Sequence, residues 1–73
     1  MLIKDLQLEL EKLGVPRRVY SIGRPADERL CIEQRGGRWD VYFIERGKET
    51  TLRVFPSESD AALFMLSELR KEI

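Results

Sequence analysis

Apolar and polar residues alternate along the middle of the chain, in the stretch RWDVYFIERGKETTLRVF at residues 38–55. A period of two residues is the pattern of a β-strand with one buried face. Gly36-Gly37 and Gly47-Lys48 have the composition of two-residue hairpin turns. The pattern therefore predicts three antiparallel strands joined by two tight turns.

Counting outward from the two predicted turns gives the register of the strands. The first turn places Leu30 opposite Phe43, and the second places Phe43 opposite Leu52. Both counts agree on one apolar face, which we assign to the core: Leu30, Ile32, Trp39, Val41, Phe43, Leu52 and Val54. The opposite face then carries Arg29, Cys31, Glu33, Asp40, Tyr42, Ile44, Thr51, Arg53 and Phe55.

Apolar residues at helical spacing predict a helix near each end of the chain. Near the N-terminus, Leu2, Ile3, Leu6, Leu10 and Leu13 share one face, and Gly14 and Pro16 end the helix. After Ser57, a capping residue, a second helix runs to about residue 72 and buries Ala62, Met65, Leu66, Leu69 and Ile73, with Leu63 at the margin. Leu8 and Phe64 point away from these faces, which indicates a contact surface.

A fourth strand, residues 18–22, is expected at one edge of the sheet. Either Tyr20 and Ile22 or Val19 and Ser21 face the core, and we favour the first pair. The predicted fold is a single α+β domain over residues 1–73: helix, four-stranded antiparallel meander, helix, with both helices packed on one face of the sheet. Because a domain of this size buries only about 60% of its unfolded surface, an oligomer or partner would add stability.

Composition excludes several classes of protein. A hydrophobic share of 42% and a charged share of 36% are those of a globular domain, and no apolar run approaches the roughly 20 residues of a membrane span. The N-terminal segment carries acids among its leucines, unlike a signal peptide, and the lone Cys31 suits a reducing cytoplasm. Residues 17–53 hold nine basic against six acidic residues. This positive excess is small for a protein that binds nucleic acid, so nucleic-acid binding is the weakest alternative.

The residues needed for catalysis or metal binding are missing. The chain has no histidine, so the commonest general base and metal ligand is absent, and one cysteine cannot build a zinc site. Glu33 and Asp40 are the one carboxylate pair that the register brings together, and arginines are their expected partners. Gly36-Gly37 joins two strands and opens no helix, so it is no phosphate loop. We expect no enzyme and no cofactor.

The segments WDVYFIERG and VFPSESDAALFML resemble small bacterial immunity-type proteins found beside polymorphic toxins. The shared pattern is an aromatic strand ending in Glu-Arg-Gly, a strand ending in Phe, and a Ser-Glu helix start. This resemblance implies a protein that neutralises a toxin by covering its active site. The expected contact residues lie on the helix-free sheet face and the Glu-Arg-Gly turn: Arg29, Asp40, Tyr42, Glu45, Arg46 and Arg53.

A second hypothesis assigns the chain no separable activity. In it the chain is a structural domain that forms a homodimer, through Leu8 and Phe64 or through the sheet. Tyrosine and arginine together are typical of protein interfaces, so the helix-free face suits either hypothesis.

Overall fold

The computed structural model describes residues 1–71. Its helices are α1 (Ile3–Lys12) and α2 (Glu58–Arg70), and one turn of 3₁₀ helix covers Arg17–Val19. Its strands are β1 (Tyr20–Ile22), β2 (Arg29–Arg35), β3 (Arg38–Glu45) and β4 (Lys48–Phe55), and they lie side by side in that order. The α+β class and the order of the elements are confirmed.

The sheet is mixed, so the expectation of a purely antiparallel meander was wrong. β1 runs parallel to β2, with Tyr20 opposite Leu30 and Ile22 opposite Ile32. A parallel neighbour normally needs a long crossover. Here β1 has only three residues, about 10 Å, and the six residues 23–28 suffice to carry the chain back. The preferred inward residues, Tyr20 and Ile22, are confirmed, since both contribute to the core.

The first hairpin has the predicted register. Arg35 lies opposite Arg38 and Leu30 opposite Phe43. Gly36 and Gly37 have φ angles of 48° and 68°, a left-handed conformation that glycine adopts at little cost. The composition of this turn was therefore a sufficient guide to the pairing of β2 with β3.

The second hairpin does not have the predicted register. Its two-residue loop is Arg46-Gly47 instead of Gly47-Lys48, and Phe43 lies opposite Thr50 instead of Leu52. Both loop residues have positive φ, 52° at Arg46 and 79° at Gly47. Arginine is an uncommon residue in this conformation, so composition favoured the neighbouring pair.

A β-bulge then changes which residues of β4 face the helices. Tyr42 lies opposite Thr51 and Val41 opposite Arg53, which leaves Leu52 as the extra residue. From Arg53 onward, the alternation of β4 residues between the helix side and the helix-free face is shifted by one position. Val54, predicted in the core, lies opposite Asp40 on the helix-free face, and Phe55 joins the core instead.

Both helices lie on the same side of the sheet and run in the same direction. Their N-termini touch: the Ile3 amide donates to Glu58 at 2.8 Å, and the N-terminal ammonium donates to Ser59 Oγ at 2.8 Å. α2 packs on β2, β3 and β4, whereas α1 packs along α2. Ser57 caps α2 as expected, its Oγ accepting from the Asp60 amide at 3.1 Å.

The core lies between the helices and the sheet. Its buried members are Leu6, Leu10, Val15, Tyr20, Leu30, Ile32, Val41, Ala61, Ala62, Met65, Leu66 and Leu69. Phe64, expected to point away, packs against this cluster with its ring centroid 5.5 Å from that of Phe55. Leu2 and Leu63 are about half exposed, and the prediction for Ile73 falls outside the described residues. Within residues 1–71, neither helix has the length and hydropathy of a membrane span.

Candidate functional site

The structure divides the six predicted contact residues among three places. Arg29, Glu45 and Arg46 lie together where β2 begins and β3 turns into β4. Asp40 and Tyr42 lie on the helix-free face, but they are buried. Arg53 lies on the helix side, apart from the other five.

Arg53 was expected on the helix-free face, and that prediction was wrong because of the bulge. Its guanidinium lies 5.4 Å from the ring centroids of both Phe55 and Phe64. A cation over an aromatic face is attracted by the ring, and the stem of the arginine covers apolar surface. Arg53 therefore helps to cover the outer margin of the core between β4 and α2.

Tyr42 is fully buried, although no helix covers it. The Arg35 guanidinium lies 4.2 Å above the centre of its ring, and its hydroxyl donates to Glu33 at 2.6 Å. Arg35 is itself held by Glu49 through two bonds of 2.6 and 2.9 Å and by Glu33 at 3.2 Å. The helix-free face thus has a cover made of its own side chains.

Asp40 lies beneath the same cover, 1% exposed. Arg35 Nη1 is 3.7 Å from one carboxylate oxygen, and Arg38 Nε is 3.1 Å from the other without forming a hydrogen bond to it. A buried carboxylate needs such cations to offset its lost hydration. Arg35 also holds the pKa of Glu49 below its usual range. Together these groups form a closed ion network around Arg35.

Cys31 lies beside this network and is fully buried. Its Sγ is 3.6 Å from the Ala26 carbonyl oxygen, so the loop of residues 23–28 passes over it. Burial raises the pKa of the thiol, which keeps it protonated and poorly nucleophilic.

Alkaline pH is expected to unfold the protein through Tyr42. Burial, and then the hydrogen bond to Glu33, raise the pKa of this phenol above its usual value of about 10. The resulting stability is fully present below about pH 10 and is lost as the pH rises through the folded pKa. A Tyr20→Phe variant, followed by tyrosinate absorbance and circular dichroism, isolates Tyr42. Ionisation near pH 10 with the circular dichroism unchanged would contradict this expectation.

The turn between β3 and β4 is fixed by two carboxylates from the 23–28 loop. Glu28 accepts the Arg46 amide at 3.1 Å, and Asp27 accepts the Gly47 amide at 3.0 Å. Glu28 (φ 61°) and Arg46 are the two non-glycine residues with positive φ in the described chain, and they contact each other. Such backbone strain costs on the order of 1 kcal/mol per residue and is concentrated at functional sites.

An apolar groove opens beside this turn, at the C-terminal ends of both helices. It has a volume of ≈ 820 Å³ and lies on the helix side of the sheet. Its apolar lining is Val15, Pro16, Val19, Leu30, Phe43, Leu52 and Leu69, and its polar lining is Arg18, Glu28, Thr50 and Glu68. Glu28 belongs to both features, because it holds the turn and lines the groove.

The groove was not predicted from the sequence. Leu52 was expected in the core, but it is the bulged residue and is 42% exposed. α2 ends beside the groove, and the hairpin of β3 and β4 continues past it. One feature of the sequence could have indicated it. The helix side of the sheet carries more apolar residues than a single short helix can cover.

No three-residue group of His, Cys, Asp or Glu within residues 1–71 is arranged to hold a metal ion. Comparison with protein-family models, curated proteins and solved structures finds no match to this chain. The candidate site is therefore defined by its geometry: an apolar groove next to a rigid, charged turn.

Proposed function

We propose that this chain is a non-catalytic protein-binding module of the immunity type, which neutralises a partner toxin by covering its active site. The observation that carries the proposal is the open apolar groove beside a turn whose backbone is fixed. Apolar pockets of roughly 300–1,000 Å³ are the usual size of binding sites, and this one falls within that range.

The turn supplies the charged part of the proposed surface. Glu45 and Arg46 are exposed, and the bonds from Asp27 and Glu28 hold the backbone of the turn before any partner arrives. A surface that is already ordered loses little conformational entropy on binding. Arg29 starts the neighbouring strand and adds a second cation at the same end of the sheet.

Occlusion requires shape and charge and no reactive group. In this mechanism an apolar side chain of the toxin enters the groove, and the turn contacts the surface around it. The buried Asp40 and Tyr42 then act as supports, since they hold the sheet that carries the turn. This changes their role from the direct contact that the sequence suggested.

Coexpression with the toxin-like product of the neighbouring gene tests the proposal. Growth is expected to recover, and the two proteins are expected to elute as one complex in gel filtration. Leu52→Arg, in the groove, is expected to weaken binding by about 30-fold or more, the loss of ~2 kcal/mol typical of a central contact. Leu63→Arg, on the exposed side of α2, is the matched control and is expected to bind normally.

A second variant separates stability from binding at the turn. Arg46→Asn keeps the backbone amide that donates a hydrogen bond to Glu28. Asn-Gly is also the favoured pair for a two-residue turn with positive φ at both positions. The variant is therefore expected to unfold at the same temperature or higher and yet to bind more weakly. Failure of the unmodified chain to restore growth or to form a complex would refute the proposed function.

A further inference from the structure

Among residues 1–71, no strand pairs with the outer backbone edge of β4, the last strand of the sheet. β4 is eight residues long, and seven of those residues are exposed. Leu52 and Val54 on it are 42% and 46% exposed. An exposed edge with apolar side chains is a template for pairing with another strand, which proteins usually prevent with outward charges.

Two of the three charged residues of β4, Glu49 and Arg53, do not protect its edge. Glu49 is bonded twice to Arg35, and Arg53 lies over the rings of Phe55 and Phe64. Both charges are therefore engaged by side chains of their own chain. The bulge at Leu52 remains as a protective feature, but regular strand lies on either side of it.

The pairing pattern shows which backbone groups of β4 point outward. The Ile44 carbonyl accepts the Glu28 amide at 2.7 Å, so the backbone of Ile44 faces β2. Its partner in β4, Glu49, must then direct its own amide and carbonyl to the open edge. Asp40 lies four residues before Ile44 in β3, so its backbone groups also face β2. The amide and carbonyl of its partner in β4, Val54, therefore also point to the open edge.

We propose that β4 pairs antiparallel with β4 of a second copy, with Glu49 of each copy opposite Val54 of the other. The two residues meet both conditions for a hydrogen-bonded pair. Their backbone groups point outward, and their side chains lie on the same, helix-free face. In an unbulged strand residues five apart would lie on opposite faces, so the bulge makes the strand complementary to itself.

The same register matches the helix-side residues. Thr50 comes opposite Arg53 of the second copy, and both lie on the helix side. Lys48, which is exposed, comes opposite Phe55 of the second copy, shortly before the acidic first turn of its α2, Glu58 and Asp60. This charge complementarity favours a second copy over an unrelated strand.

The symmetry axis passes between Thr51 and Leu52 and stands perpendicular to an eight-stranded sheet. All four helices then lie on one side. Because each Leu52 lines its own groove and lies next to the axis, the two grooves adjoin there. Dimer formation therefore joins the two grooves into a longer apolar groove. The dimer does not depend on the proposed toxin partner.

Disulfide cross-linking between two singly substituted proteins tests the register. Thr50 and Arg53 of the second copy form a non-hydrogen-bonded pair, with Cα atoms about 4.5 Å apart, which a disulfide can bridge. Under oxidising conditions, a mixture of Thr50→Cys and Arg53→Cys proteins is expected to give a covalent dimer. Each protein alone is expected to give none, since the native Cys31 is buried. Equal cross-linking in all three samples, or none in the mixture, would overturn the register.

Sedimentation equilibrium tests the dimer without substitutions at the cross-linking positions. The unmodified chain is expected to show twice its mass of 8.6 kDa. Val54→Glu, which places a carboxylate opposite Glu49 of the second copy, is expected to raise the dimer Kd about tenfold or more, and Leu63→Glu is expected to leave it unchanged. A monomer that persists up to about 1 mM would overturn the dimer. No toxin is present in either experiment, so their failure is distinct from failure of the proposed function.

Discussion

Replacement of Arg35 by Ala is expected to lower the free energy of unfolding by about 3–5 kcal/mol. Arg35 holds Glu33 and Glu49 by hydrogen bonds, lies 3.7 Å from Asp40, and covers the ring of Tyr42. Removing Arg35 leaves Asp40, which is 1% exposed, with Arg38 as its remaining cation, and it leaves the hydroxyl partner of Tyr42, Glu33, without its own cation. A chain of 73 residues has a total stability of about 4–11 kcal/mol, so the loss would be a large fraction of the total.

Urea denaturation followed by circular dichroism measures this change. Arg17→Ala is a suitable control, because Arg17 also pairs with a glutamate, Glu11 at 3.0 Å, but its side chain is 77% exposed. Exposed pairs contribute about 1 kcal/mol or less, so this variant is expected to differ little from the unmodified chain. Equal losses from the two variants would show that the network around Arg35 does not stabilise the fold.

Replacement of Leu10 by Ala is expected to cost about 3 kcal/mol and to loosen α1. Leu10 is fully buried in the core. Its truncation removes apolar contacts and leaves a cavity, which together cost about 2–5 kcal/mol in well-packed cores. α1 has ten residues, too few for a stable isolated helix, so its helical structure depends on this packing.

The same substitution at Leu8 provides the control on the same helix. Leu8 is 57% exposed, and Ala has the higher helix propensity, so Leu8→Ala is expected to change stability by less than about 0.5 kcal/mol. Thermal unfolding of both variants separates packing from helix propensity. Similar midpoints for the two would indicate that α1 contributes little to the core.

The sequence predicted those parts of the fold that depend on local residue types. The Gly36-Gly37 turn, the Ser57 cap and the inward side of β2 follow from turn chemistry and periodicity. The second turn could not be predicted, because Arg46 is left-handed in a turn whose two amides bond to Glu28 and Asp27, which are about twenty residues earlier. Contacts that distant leave no periodic signal.

The candidate site was predicted less well than the fold. Glu45, Arg46 and Arg29 were predicted to be contact residues, and the structure places these three close together. Tyr42 and Asp40 were taken for surface residues, because a sequence pattern does not show that Arg35 covers them. Leu52, the bulged residue, lines the groove, and an extra residue in a strand cannot be recognised from alternation that continues on both sides of it.

The contact between the N-termini of α1 and α2 has a consequence for biosynthesis. Ile3 and Glu58 are 55 positions apart, so α1 leaves the ribosome well before the helix on which it packs. Until residues 58–70 emerge, the leucines of the first helix have no surface on which to pack. The nascent chain therefore reaches its native state late, with α1 uncovered until α2 has emerged.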